Sequence, residues 1–239
     1  MQTIKARGLV LREYEAGESD KRLLVLCKEH GRMMIYARGA RKPKSKYMGA
    51  TQLFTYADFV LTAGRGFYAL TQADIIESFY GLRTDYDYLT AAHIVAEVCE
   101  KTLHEDIACD DLLLLALRSL AHLSKQQLPS LQVVCVFLLR FFVFYGLAPR
   151  VEACALCNEA VDREAFFCVE GLACNDCRPN RSIPVSMAAV FALRHILLSP
   201  MSPSFLFKAH DDVIKELMLA ARLLWNFHFD RHLASWKFI

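Results

Sequence analysis

Two CxxC pairs carry the sharpest chemical signal in the chain: Cys154-Ala-Leu-Cys157, sixteen residues, then Cys174-Asn-Asp-Cys177. Each pair offers two sulfurs at tetrahedral spacing, and the loop between lets two hairpins face one another, the pattern of a four-thiolate zinc site. With Cys154, Cys157, Cys174 and Cys177 all supplied by protein, no coordination position stays open for a substrate, so the expected zinc is structural. Two disulfides would suit an oxidising compartment. The nine cysteines are odd in number, and the first twenty residues hold no apolar run resembling a signal peptide, which points to a reducing cytoplasm. A thioredoxin-like redox site would need one CxxC opening a helix after a strand. Cys168 lies inside the loop without a CxxC mate, and Cys27, Cys99, Cys109 and Cys135 read as small buried or semi-buried hydrophobes.

The second signal is charge. The formal net charge of +2 conceals a segregation: the first 50 residues hold 12 Lys and Arg against 5 Asp and Glu, a balance of +7, leaving −5 for the rest. Arg32, Arg38, Arg41, Lys42, Lys44 and Lys46 cluster across one expected strand and the loop that runs to Tyr47, reading as an electrostatic track for phosphates. Tyr36, Tyr47, Phe54, Phe67 and Tyr68 are interleaved with this track; any that face outward would offer stacking surfaces to unpaired bases. Alternation along strands puts most such aromatics inside. The cysteine module has the opposite balance, with four basic and six acidic residues from 150 to 184, and four thiolates on one zinc add about two further negative charges. A polyanion would be repelled there, so the module reads as a brace or a partner-binding knob.

Other chemistry is missing. No GxxxxGK[ST] phosphate loop, HExxH or GxSxG occurs, and the histidines are scattered. His228 and His232 stand four apart near the end of a helix without a third ligand following, and are read as helix-terminal residues favoured by the dipole. No catalytic constellation is visible, and no enzyme is expected. Val133 to Ala148 is apolar but short and carries Arg140 at its centre, arguing for a buried core helix over a membrane span.

The elements that must position these groups fall into two halves. Up to about Ser78, apolar and β-branched runs at Gly8–Tyr14, Arg22–Lys28, Arg32–Arg38, Gln52–Leu61 and Phe67–Ile76 predict five strands, with turns at Gly17, at Glu29–Gly31 and at Gly64-Arg65-Gly66. Five strands in so short a stretch suit a small closed or partly open barrel. Beyond Ser78 the period becomes 3.6. Thr84 with Asp87 resembles a capping box opening a helix that presents Leu89, Ala92, Ala96, Cys99 and Leu103 on one face; Asp110 is expected to cap a second. A third begins at Pro129 and ends by Gly146, apolar nearly all round and therefore central. A fourth runs from a Ser186 cap to about Leu198, and a fifth carries the stripe Val213, Leu217, Ala220, Leu224 and Phe227.

The order of these features resembles one family. The loop Gly39-Ala-Arg-Lys followed by Lys44, Ser45 and Lys46, the helix from Phe137-Leu-Leu-Arg140 to Gly146-Leu-Ala-Pro149 before a CxxC, the run FCVEGLACNDC from Phe167 to Cys177, and the closing Ser235-Trp-Lys-Phe-Ile239 are similar to the RecO family of bacterial recombination mediators over essentially the whole chain. The resemblance implies an α+β protein. An oligonucleotide/oligosaccharide-binding (OB-fold) barrel would occupy 1–80, an all-helical domain 81–149 and 183–239, and a zinc module 150–182, inserted in the helical domain. It further implies no enzymatic turnover, binding of single- and double-stranded DNA through the basic loop, annealing of complementary strands, contact with the acidic C-terminal tail of the single-strand-binding protein, and work with RecR to load RecA recombinase. The four cysteines match the family's zinc ligands. Such a protein would be cytoplasmic and nucleoid-associated, with no membrane contact. The competing expectation is a protein-protein adaptor with a structural zinc site and an incidental basic loop.

Overall fold

The computed structural model describes residues 3–64, 67–103, 107–230 and 232–238; Arg65 and Gly66 of the expected turn and the closing Ile239 lie outside them. Strands β1 (Thr3–Ala16), β2 (Asp20–Cys27), β3 (Gly31–Ala37), β4 (Tyr56–Ala63) and β5 (Tyr68–Glu77) form a closed barrel in the order β1-β2-β3-β5-β4. Closure depends on β1, whose first half pairs with β4 and whose second half pairs with β2, with a bulge between Val10 and Arg12. A bulge supplies the extra bend and twist that let one long strand change partners. The opposite seam is short: β3 and β5 run parallel for two pairs, Ile35 with Tyr68 and Tyr36 with Ala69. Val10, Leu23, Val25, Ile35, Phe59 and Leu61 fill the interior, as expected of so narrow a barrel. The fourth strand starts at Tyr56 rather than Gln52. Residues 52–55 continue the turns of the preceding loop, and Phe54, at a left-handed φ of 66°, breaks extension while its ring goes into the core.

Leu9, Leu11, Leu24 and Leu26 are buried although they alternate with the interior residues, so the outer face of β1 and β2 needs its own cover. Two helices provide it: α1 (Tyr86–Thr102) lies against β1, and α2 (Asp110–Lys125) against β1 and β2. Their caps differ from the expected ones. Asp85, not Thr84, caps α1, because its extended backbone carries the carboxylate over the Asp87 and Tyr88 amides, while the Thr84 hydroxyl donates to the Gly81 carbonyl. Asp110 stands inside the first turn of α2 and accepts at 2.8 Å from the Glu29 amide in the β2–β3 turn; Cys109 holds the cap position without a side-chain bond. Residues 1–127 and 235–238 form one compact unit, and 128–234 a second. The returning residues attach through Ser235, whose amide donates to Glu97 of α1 at 2.9 Å.

The second unit is built on α3 (Ser130–Phe144), in which every residue from Gln132 to Phe142 is buried. The buried residues include Arg140. Its guanidinium finds its partners at the C-terminus of α4 (Met187–Leu198): Nη1 donates to the carbonyls of Ile196, Leu197 and Ser199 at 3.3, 3.3 and 2.9 Å. Those are carbonyls a helix end leaves unpaired, and the positive charge suits the negative end of the helix dipole. Ser186 caps α4 as expected, accepting from the Ala189 amide. In α5 (Asp211–His228), Val213, Leu217, Ala220 and Leu224 are buried, but Phe227 is 64% exposed; Trp225 fills the core at that end, against Phe141 and Phe229. Between α3 and α4 the chain forms a three-stranded sheet that no sequence pattern predicts, β6 (Ala165–Cys168), β7 (Gly171–Cys174) and β8 (Ile183–Val185) in the order β7-β6-β8. Among the described residues no helix is long and apolar enough to cross a membrane.

Candidate metal centre and nucleic-acid surface

The two cysteine knuckles meet because the β6–β7 hairpin docks the first against the second. Around Arg150 the chain runs beside the hairpin turn, with the Arg150 amide donating to Glu170 and the Leu172 amide to Arg150, at 2.9 and 2.8 Å. This approach requires Gly171: its φ is +131°, and a Cβ there would lie 1.9 Å from the Arg150 oxygen. The Ala155 amide then donates to Leu172, and the Arg150 guanidinium holds the knuckle itself, donating to Asn158 Oδ1 at 2.8 Å and to the Ala155 carbonyl at 3.3 Å.

The result is a cluster in which the Sγ atoms of Cys154, Cys157, Cys174 and Cys177 all lie within 4.8 Å of one another, with Cys157 and Cys174 3.8 Å apart. A tetrahedron of sulfurs at about 2.3 Å from zinc has edges of about 3.8 Å, so these four residues fit a metal ion of that kind. Burial pushes the Cys154 thiol up, but the amides of Cys157, Cys174 and Leu156 outweigh it and bring it down to about 6. Cys177 goes the other way, pushed up to about 12 by its hydrogen bonds with Cys157 and Cys174. Four sulfurs this close divide protons among themselves, and a divalent cation is what would let all four ionise together. Cys168 is excluded: it is buried and donates to the Gly171 carbonyl at 3.2 Å. Cys27, Cys99 and Cys135 are buried and Cys109 half-buried, as expected.

The basic residues lie on the turn-rich loop of residues 38–55 between β3 and β4. Ala40 and Ala50 turn inward and join the barrel core, which fixes the loop at the barrel's end. Its entry is held by Asp20 at the start of β2, whose carboxylate accepts from the Tyr36 hydroxyl, the Gly39 amide (2.7 Å) and the Ser19 hydroxyl (3.1 Å). The Tyr36 hydroxyl and the Gly39 amide hold the Asp20 carboxyl below the usual carboxylate range, and the same bond raises Tyr36. No pattern in the sequence singles out Asp20.

The predicted contact residues do not fare alike. Arg38, Arg41, Lys42, Lys44 and Lys46 are all exposed, on one loop. Arg41 is engaged: it pairs with Glu15 at 2.9 Å and donates to the Gly17 carbonyl at 3.3 Å, at the edge of a cleft also lined by Glu13, Tyr14 and Lys21. Tyr47 is a brace, since its hydroxyl donates to the Thr71 carbonyl at 2.6 Å, its ring is half-buried against the core, and Lys46 Nζ sits 5.0 Å from the ring centroid. Arg32 lies six residues before Arg38 on an extended strand, about 20 Å away, and is not brought to the loop. Of the interleaved aromatics Phe54 is in the core, whereas Phe67 is exposed and edge-on to Tyr36.

A five-stranded barrel ordered 1-2-3-5-4, followed by helices with a four-sulfur cluster in the segment between α3 and α4, defines an OB-like barrel protein with a helical portion that holds a four-cysteine cluster. Residues 1–79 match the family model for the N-terminal part of recombination protein O and residues 83–237 the model for its C-terminal part, and the chain belongs to the RecO family. It is 35% identical to the DNA repair protein RecO of Acetivibrio thermocellus over 91% of this chain and 88% of that one. It is 30% identical to those of Desulfitobacterium hafniense, over 99% and 89%, and Pelotomaculum thermopropionicum, over 100% and 94%. The family and its named members assign the chain a role in DNA repair.

Proposed function

We propose that the chain is a non-enzymatic recombination mediator whose barrel loop binds single- and double-stranded DNA through phosphates and whose four cysteines hold one structural zinc ion. Five exposed cations on a loop held to the barrel end by Asp20, Ala40 and Ala50 support this reading most directly. Annealing without nucleotide hydrolysis needs two strands held with their charge neutralised and their bases accessible, which a rigidly based cationic loop supplies. RecR, the acidic tail of the single-strand-binding protein and, functionally, RecA are the partners this role calls for. The cytoplasm, at the nucleoid, is where it would act. Zinc fits the cluster because four sulfurs at tetrahedral separation complete its coordination, leaving it to brace the hairpin.

Lysines 42, 44 and 46 make the test. Changing all three to Ala should weaken binding to single-stranded oligonucleotides of any sequence and reduce the slope of log K against log salt by about 2, at about 0.7 for each phosphate no longer neutralised. An unchanged slope would remove the loop from the interface.

A further inference from the structure

Phe67 leaves an aromatic ring in the open on the barrel, where Met48, Ile75 and Ile76 are also exposed. Phe67 is 44% exposed immediately before β5, beside the short seam where Tyr36 pairs with Ala69. Its orientation is fixed from two sides. The Tyr36 ring meets it edge-on at 5.9 Å and 61°, and Gly64, whose amide donates to the Phe67 carbonyl at 2.9 Å, leaves room for it: a Cβ at 64 would lie 3.1–3.2 Å from the Phe67 ring. Tyr36 is tied to the basic loop by the Asp20 carboxylate that it shares with the Gly39 amide. Arg38 opens the turn that follows Tyr36, and its charge acts on both Tyr36 and Asp20.

We infer that Phe67, held by Tyr36, is a stacking step for an unpaired nucleobase whose backbone runs on the adjacent cationic loop, making this surface selective for single strands with their bases splayed. The inference rests on the reading of the loop as a phosphate track. An exposed aromatic beside cations suits a ligand that is anionic along one edge and flat and apolar along the other. A duplex keeps its bases stacked internally and offers the ring nothing, whereas both forms offer the loop phosphates.

The test uses the full chain, with Phe67→Ala and Phe67→Trp, on three probes: oligothymidylate, an abasic oligomer of the same length, and a blunt duplex. Phe67→Ala should lose about 5- to 150-fold in affinity for oligothymidylate, from about 1–3 kcal/mol per stacked base, with affinity for the other two probes and the salt slope unchanged. Phe67→Trp should retain affinity and show fluorescence quenching by oligothymidylate but not by the abasic strand, above the background of the two native tryptophans. Equal losses on all three probes would make Phe67 structural and overturn the inference, as would an undiminished affinity for oligothymidylate. The loop reading fails separately: the triple lysine variant would keep its salt slope while Phe67→Ala still discriminated between the probes.

Discussion

The cysteine cluster and the basic loop solve opposite problems. The cluster converges four groups of one kind on a point, and the segment that presents the first pair is tied to the β6–β7 hairpin by the Ala155 and Leu172 amides. The loop spreads its cations over an exposed surface, and one of them, Arg41, is paired with Glu15. Coordination is all-or-none, whereas counterion release is nearly additive. An additive site suits a ligand that must be gripped and released, and an all-or-none site suits a part that holds its shape.

The largest effect expected is at the cluster. Replacing Cys154 with Ser should cost the module on the order of 10 kcal/mol of metal-linked folding energy, read as loss of bound zinc and of near-ultraviolet dichroism, while DNA binding by the loop persists. If DNA binding vanished with the metal, the separation of roles would break. Next comes Arg140, another built contact: Arg140→Ala abandons carbonyls at the end of α4 and should cost about 2–4 kcal/mol in chemical denaturation.

Effects in the barrel are smaller and depend on ionisation. Asp20 is held below its ordinary range by Tyr36 and Gly39, and Asp58 by its ion pair with Arg7 at 2.7 Å. A carboxylate depressed in the folded state stabilises it above the unfolded value, and that contribution disappears as pH falls through the folded one. Thermal stability should therefore drop as pH goes from about 5 to 3, and Asp58→Asn should flatten the drop. Smallest of all, Glu15→Gln frees Arg41, and should raise DNA affinity about two- to threefold and steepen the salt slope by about 0.7. Glu18→Gln removes the same charge from another exposed residue of the β1–β2 hairpin and is the control; an equal gain there would show that the Arg41 pair is incidental.

What can be read in advance follows the same contrast. The four clustered cysteines are legible one by one, because the CxxC spacing marks each of them. Five strands are legible from alternation, and α3 from its unbroken apolar surface. The individual duties of the loop residues are not: charge marks Arg41 and Lys42 alike, and only the fold shows which one Glu15 holds. The cap at Asp85 is hidden because Thr84 offers an equally good pattern one residue earlier, and backbone geometry decides between them. The β6-β7-β8 sheet is hidden because its strands are three or four residues long, too short to show a period.

The bond from Ser235 to Glu97 spans 138 residues of chain. At about 5–20 residues per second, a nascent chain that has already made α1 waits roughly 7–28 s before the segment that docks on it is synthesised. Over that interval the barrel unit exists without its last contact, and all of residues 128–234 are translated in the meantime, so the second unit is complete before the first.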